Sequence, residues 1–375
     1  MKTLLETDLN NKKVGIRVDL NVPIKEGKIL SHEKLSAALP SILHILERTQ
    51  NLCIISHLGR PTEGDFDPNY SLLPIKEWFD EKLKKELAFT DNLDLIPEGI
   101  SLLENIRFFN GEKENNEELS QKIADAFDVY VMDAFATAHR RSASTFGAIK
   151  KSEVACAGML FSKEVINIEY ALKESGSLNS IVGGSKISTK LKVIESLLKK
   201  SQKVLVGGGI ANTFLKASGY EIGKSLAEDN MLNMANNMLE TGKIILPEKV
   251  YVSESMESKN ISLVPISDVS KDKMILDIEF NNKEIKNYSS KATIWNGPLG
   301  IFEIDEFSNG TKSLINYLEQ LDSKVIAGGG ETIFAINKFS DIKNFHYVST
   351  AGGAFLEYLG GSLLPSIEAL KSKSS

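Results

Sequence analysis

In the first half of the chain, arginine recurs behind short apolar runs that read as strands. Residues 53–55 lead into Ser56, His57, Leu58, Gly59 and Arg60. Residues 101–103 lead into Glu104, Asn105, Ile106 and Arg107, and residues 129–132 into Asp133 and then Thr137, Ala138, His139 and Arg140. A fourth run, 14–18, ends on Asp19, Leu20 and Asn21. A guanidinium presents a planar fork of donors that suits carboxylate and phosphate oxygens. One arginine after one strand is an ordinary surface residue. Three at equivalent strand ends, two with a histidine nearby, predict a cationic basin for a small polyanion if the strands lie side by side.

The second half places glycine where the first places arginine. Strand-like runs are followed by Gly183 and Gly184, by Gly207, Gly208 and Gly209, by Gly328, Gly329 and Gly330, and by Gly352 and Gly353. Glycine lets a backbone turn tightly and approach a ligand, and the N-terminus of a following helix attracts phosphate. Lys186 and Lys190 follow Gly184 closely enough to reach phosphate oxygens. A lone glycine pair means little, but several such loops in one half point to a nucleotide. Other signatures fail. GYEIGKS from Gly219 is one residue short of a Walker A loop, and no GxGxxG occurs. DAF at Asp133 lacks the rest of the protein-kinase set. No His/Cys cluster has zinc spacing.

Such groups need a framework that aligns strand ends. The chain alternates short β-branched runs, glycine-rich or polar breaks and helical stretches, which predicts α/β architecture with mostly parallel strands. The second-half strands are expected at 180–182, 204–206, 293–295, 325–327 and 347–348. KVLVGGGIANTFLKA from Lys203 and KVIAGGGETIFAINK from Lys324 look like copies, and SIVGGSKISTKLKVI from Ser180 has the same shape. The units are too few and unequally spaced for a solenoid. Residues 160–175 read as one helix of about four turns. We therefore expect two doubly wound, Rossmann-like parallel-sheet domains joined by a helical hinge. An N-terminal domain spans 1–160, an interdomain helix 161–176 and a C-terminal domain 177–356. Ligands then sit beyond the carboxyl ends of the strands.

Composition narrows the partners. Hydrophobic residues make up 42% and charged residues 25% of the 375, enough for two cores. A net charge of -6 argues against nucleic acid or an anionic membrane surface. Cys53 and Cys156 sit in apolar runs without a CxxC, as buried thiols in a reducing compartment would. MKTLLETDLN turns polar too early for a signal peptide, and no apolar run reaches the roughly 18 residues of a membrane span. A cytoplasmic protein is expected.

One half thus offers cations and the other phosphate cradles. A cleft between them could hold an acidic metabolite and a nucleotide end to end. Two lobes closing on a hinge would align them, neutralise charge and exclude water, which direct phosphoryl transfer requires.

These strand ends resemble those of the phosphoglycerate kinase family, in order and along essentially the whole chain. RVDLNVP (17–23), SHLGRP (56–61), LLENIRF (102–108) and DAFATAHR (133–140) look like its substrate-side motifs. GGSKISTK (183–190), GGGIANTF (207–214), WNGPLGIFE (295–303), GGGETI (328–333) and STAGGAFLEYL (349–359) look like its nucleotide-side motifs. The resemblance implies reversible transfer from 1,3-bisphosphoglycerate to ADP, giving 3-phosphoglycerate and ATP, with Mg2+. It implies that Asp19, Asn21, Lys34, His57, Leu58, Gly59, Arg60, Arg107 and Arg140 hold the phosphoglycerate. Lys34, Lys190 and Arg140 would act on the group in transit. Gly207, Gly208 and Gly209 would line the adenine pocket and Glu303 would bind ribose. Lys190 would also contact the nucleotide phosphates, and Lys186 and Gly328 would lie near them. Gly329, Gly330, Glu331 and Thr332 would meet the metal–phosphate end, with Glu331 the metal ligand. The family also implies a monomer whose C-terminal segment, 357–375, packs back on the N-terminal domain.

Three positions depart from the family pattern. Lys34 stands where the family carries a catalytic arginine, keeping the charge but losing the bidentate fork. Glu331 replaces the usual aspartate. Asp277-Ile278-Glu279-Phe280 replaces aspartate–hydrophobe–glycine–proline. The alternatives are a catalytically impaired relative that binds nucleotide or metabolite in a regulatory role, a different small-acid kinase, and a scaffold. The scaffold would not need arginines and glycines at successive strand ends.

Overall fold

Short runs such as VGIR, LCII, ISLL and VYVM are apolar almost throughout, the pattern of parallel strands covered on both faces. In a computed structural model, which describes residues 1–373 apart from 175, 282 and 287–289, they are fully buried strands. The chain divides into two units: Met1–Ile166 with Leu363–Ser375, and Asn167–Ser362.

Unit 1 contains β1 (Val14–Arg17), a minimal hairpin β2 (Ile24–Lys25) and β3 (Lys28–Ile29), β4 (Leu52–Ile55), β5 (Ala88–Thr90), β6 (Ile100–Leu103), β7 (Val129–Met132) and β8 (Val154–Ala157). Its helices are α1 (Glu33–Leu46), α2 (Leu73–Leu83), α3 (Glu117–Asp125) and α4 (Ala148–Lys151). The main sheet runs β5-β6-β4-β1-β7-β8, all parallel. β1 lies centrally. Its connection leads toward β4, while that of β7 leads toward β8, so the winding reverses between β1 and β7. Helix α1 buries Leu35, Ala38, Ile42 and Ile45, one stripe at spacings of three and four, in the same core as Ile16 and Ile54.

Helix α5 (Met159–Lys173) carries the division between the units. Ser175, where the sequence placed the end of this helix, lies outside the described residues.

Unit 2 contains β9 (Leu178–Val182), α6 (Ile187–Lys200), β10 (Lys203–Val206), α7 (Gly208–Ala217), α8 (Leu232–Leu239) and β11 (Ile244–Ile245). Then come β12 (Lys249–Ser253), β13 (Ser262–Pro265), β14 (Met274–Ile278), α9 (Lys283–Lys286), β15 (Ala292–Asn296), α10 (Asn309–Glu319), β16 (Lys324–Gly328), α11 (Gly330–Phe339), β17 (Tyr347–Ser349) and α12 (Gly353–Leu359). The parallel sheet runs β11-β10-β9-β15-β16-β17, so its winding reverses between β9 and β15. A separate antiparallel sheet, β13-β12-β14, was not legible in the sequence. Its outer strand β13 is mostly exposed, so its apolar residues follow no burial period.

Sequence-expected strands appear with ends shifted by up to two residues. Val18 lies just past β1, and the edge strands β5, β8 and β11 were missed. The last helix, α13 (Pro365–Ser372), belongs to unit 1 and buries Leu364, Ile367 and Leu370 beside it or along it. The chain rejoins unit 1 at Leu363; residues 357–362, expected on the N-terminal domain, belong to unit 2. Ser366 fastens α13, donating its N–H to the Ala138 carbonyl (3.1 Å) and its hydroxyl to the Thr145 carbonyl (2.7 Å).

Candidate active site

The loops after β1, β4, β6 and β7 meet at the carboxyl edge of the unit 1 sheet. Arg60, Arg107 and Arg140 line one cavity of about 630 Å3, together with Arg17, Lys113 and Arg141. Arg107 is half-buried and donates to the Gly59 carbonyl, which fixes its fork. Burial, with Arg140 and Arg17 close by, pulls the Arg107 guanidinium down to about 10, while the Glu112 carboxylate opposes the shift. So many cations sharing one partly buried space leave it suited to a multiply charged anion.

The β1 and β4 loops are stitched to each other. The Ser56 hydroxyl donates to the Val18 carbonyl (2.8 Å) and accepts from the Leu20 N–H (2.9 Å). Asn21 accepts from the Gly59 N–H at 2.9 Å, and Asp19 accepts from the Asn21 N–H at 3.1 Å. Gly59 has φ +59°, and a Cβ there would meet the Tyr70 ring at 2.2 Å. The Lys34 ammonium, from the first turn of α1, lies 2.8 Å from the Asp19 carboxylate. His57 is buried, and burial together with Arg17, Arg107, Lys34 and Arg140 holds its imidazole well below its usual range, so it is neutral.

In unit 2 the β9 and β15 loops flank the winding reversal, where open parallel sheets bind ligands. The Gly183 N–H donates to the Asn296 carbonyl (2.8 Å), and a Cβ on Gly183 would sit 1.8 Å from the Pro298 carbonyl oxygen. Only glycine allows this approach. Lys190 reaches back from α6 and donates to the Gly183 carbonyl at 2.6 Å. Burial lowers its ammonium to about 8, opposed by the Glu331 carboxylate. A cavity of about 460 Å3 opens beside these loops. Gly184, Gly208, Gly209, Glu303 and Glu331 line it, and Met274, Ile275 and Leu276 of β14 give it an apolar wall. Helix α7 begins at Gly208, so its positive end faces this space.

The expected residues are thus distributed unevenly. Asp19, Asn21, Lys34, His57, Leu58 and Gly59 form the stitched layer beside the arginine cavity rather than its lining. His139 is half-buried and is not part of that lining. Gly207, Lys186, Lys190, Gly328, Gly329, Gly330 and Thr332 lie outside the lining of the unit 2 cavity. Thr332 is buried and accepts from the Gly297 N–H at 2.8 Å, and Lys186 and Gly330 are exposed. Sequence reasoning missed Arg17, Glu112, Lys113 and Arg141. A charged side chain closing the apolar run VGIR was the one available signal for Arg17. It missed the apolar wall as well, because that wall comes from the antiparallel sheet.

Two parallel α/β units, one with a cation-lined cavity at its strand ends and one with a glycine-walled cavity at its own, define a two-domain phosphotransferase. The phosphoglycerate kinase family model matches residues 4–362. The chain is 45% identical to the phosphoglycerate kinase of Francisella philomiragia, covering 100% of this chain and 99% of that protein. It is also 45% identical to that of Francisella tularensis subsp. novicida, covering 99% and 98%. The solved phosphoglycerate kinase of Coxiella burnetii superposes with a TM-score of 0.95 at 41% identity, over 100% of this chain and 99% of that one. That of Pyrococcus horikoshii does so at 0.81 and 28%, with the same coverage. The chain belongs to the phosphoglycerate kinase family.

Proposed function

We propose that the chain moves a phosphoryl group reversibly from 1,3-bisphosphoglycerate to ADP, giving 3-phosphoglycerate and ATP, by direct in-line transfer. The observation that carries this reading is the convergence of Arg60, Arg107 and Arg140 on one cavity of unit 1. Such forks match the phosphate of a phosphoglycerate. Asp19 and Asn21 would take its hydroxyl and carboxylate end, with a neutral His57 as a donor, while Leu58 and Gly59 shape the loop. Arg140, Lys34 and Lys190 would stabilise the group in transit. On unit 2, Gly207, Gly208 and Gly209 would flank the base and Glu303 the ribose. Lys186 and the backbone at Gly328, Gly329 and Gly330 would meet the phosphates, with Thr332 beside them.

Among the described residues no group of three His, Cys, Asp or Glu could cage a metal. Glu331 shares the lining of the nucleotide-side cavity with Glu303 and Asp277, and would be the carboxylate at the phosphate end. That suits Mg2+, which commonly takes one or two carboxylates and the phosphates themselves. Bound there with the nucleotide, Mg2+ would neutralise phosphate charge. Small-molecule substrates are the expected partners, and the net charge of -6 speaks against nucleic acid. Two free, buried thiols, Cys53 and Cys156, support a cytoplasmic setting. No helix among the described residues is long and apolar enough to cross a membrane. A monomer follows from the family resemblance.

The test is ATP formation from 1,3-bisphosphoglycerate and ADP with Mg2+, set against phosphorylation of acetate and of glycerate. Turnover with the bisphosphate alone is expected. Turnover only with acetate or glycerate would replace the substrate, and none at all would leave a binding protein.

A further inference from the structure

Arg17 closes β1 and is 2% exposed, yet it makes no ion pair among the described residues. Each of its nitrogens is committed. Nε donates to the Ser144 hydroxyl at 3.0 Å, Nη1 to the Val18 carbonyl at 2.5 Å, and Nη2 lies 3.1 Å from His57 Nδ1. A guanidinium has donors only. His57 Nδ1 must therefore be an acceptor and carry no proton, which places the ring proton on Nε2.

The serine is held in turn. Its hydroxyl donates to Glu112 Oε1 at 2.6 Å, so only its lone pairs remain for Arg17. Its N–H donates to Glu112 Oε2 at 2.8 Å, and Ser142 donates to the same carboxylate at 2.8 Å. Glu112 and Ser144 are 4% and 0% exposed. Ser144 lies in a π-helical turn, Ala143–Gly147, a local widening often found at functional sites. The donors run one way: Ser144 to Glu112, Arg17 to Ser144, Arg17 to His57. A buried cation and a buried anion are thus coupled through one hydroxyl instead of by direct contact.

We propose that Arg17, Ser144 and Glu112 are positioning residues that lock His57 in its Nε2–H tautomer, so that it serves as a fixed neutral donor to an anionic oxygen of a small phosphorylated acid. Only the role toward substrate rests on the phosphotransferase reading. The charged groups around the ring, Arg17, Arg107, Lys34 and Arg140, all disfavour a second proton. A neutral donor can still serve an anion among so many cations.

The experiment uses the full chain labelled with 15N-histidine. The sequence has five histidines, so His57→Gln assigns the His57 signals. In the wild type the expected result is a protonated Nε2 and a bare Nδ1, unchanged between pH 6 and 8. In Arg17→Met the ring should become a tautomer mixture, and KM for 3-phosphoglycerate should rise by about tenfold, the scale of one charge-assisted hydrogen bond. Ser144→Ala should shift both readouts the same way by less. A wild-type ring protonated at Nδ1 or at both nitrogens overturns the proposal. So does a wild-type tautomer retained in both variants, even if KM rises, since Arg17 would then act as a direct ligand. Should Arg17→Met fail to fold, the wild-type spectrum and Ser144→Ala decide. The tautomer measurement needs no substrate, so absent phosphoryl transfer would sink the function while leaving this result standing.

Discussion

The ammonium of Lys34 sits 2.8 Å from the carboxylate of Asp19, with the lysine about one-third and the aspartate one-tenth exposed. One of its three donors is thus spent on a residue expected to hold substrate. An arginine could satisfy Asp19 with one edge and keep a second pair of donors for the group in transit. We expect Lys34→Arg to raise kcat by about tenfold or more, and Lys34→Met to lower it by about 10²–10³, as loss of a transition-state donor does. Single-turnover phosphoryl transfer measures both. An unchanged kcat in Lys34→Arg would mean that the lysine is no handicap.

What the sequence revealed and what it hid follow from one physical distinction. Buried parallel strands announce themselves as apolar runs, and the residue after the run is at the ligand edge by construction. Arg60, Arg107 and Arg140 were therefore legible. Contacts made across the fold were not. Nothing in RVDLNVP says that Arg17 turns inward to His57, and nothing near Glu112 says that it meets Ser144, 32 positions along the chain. The apolar wall of the nucleotide-side cavity was hidden for a related reason. It depends on β14, which pairs with β12 in a small antiparallel sheet whose outer strand β13 is mostly exposed and shows no clean period.

Lys190 gives a pH signature. Its ammonium is lowered to about 8 by burial, so above that pH the free protein carries it neutral. A bound polyphosphate favours the charged form and raises its pKa. ADP binding should therefore take up a proton near and above pH 8 and none well below it. Titration calorimetry in buffers of different ionisation enthalpy reads this uptake, and Lys190→Met should abolish it. Uptake unchanged in that variant would assign the proton elsewhere.

Asp133 in unit 1 and Asp277 in unit 2 are buried carboxyls, each raised by burial to about 7 from 3.8, despite backbone N–H donors at Phe161 and at Gly310 respectively. A raised folded-state pKa means the native state holds the proton more tightly. The stabilisation is complete below the unfolded pKa and is lost as pH rises toward 7. Each unit should lose stability between about pH 4 and 7 and level off above. Trp78 and Trp295 report on units 1 and 2 separately, so denaturant titrations of the single-tryptophan variants follow each unit. Asp133→Asn should flatten the first curve and Asp277→Asn the second. Parallel curves for wild type and variant would exclude these carboxyls as the source.

Two glycines in the nucleotide-side loops separate folding from ligand approach. A Cβ on Gly209 would fall 2.2 Å from the Ser185 carbonyl oxygen, whereas one on Gly330 meets nothing within 4 Å. Gly209→Ala should destabilise unit 2 by about 1–3 kcal/mol, the usual scale of overpacking. Gly330→Ala should leave stability intact or raise it, since alanine suits a helix start better, yet weaken ATP binding several-fold. Undiminished ATP affinity in Gly330→Ala would mean that no phosphate approaches this backbone.

The return of α13 to unit 1 orders the birth of the protein. The ribosome must finish all of unit 2 before it makes Leu364, Ile367 and Leu370, which are buried, and Ser366, which ties the Ala138 and Thr145 carbonyls. Until then the nascent first unit keeps an uncovered apolar patch beside the segment that carries Arg140. Unit 1, begun before unit 2, is therefore sealed only after unit 2 has been made, and its arginine-bearing loop waits until then for its anchor.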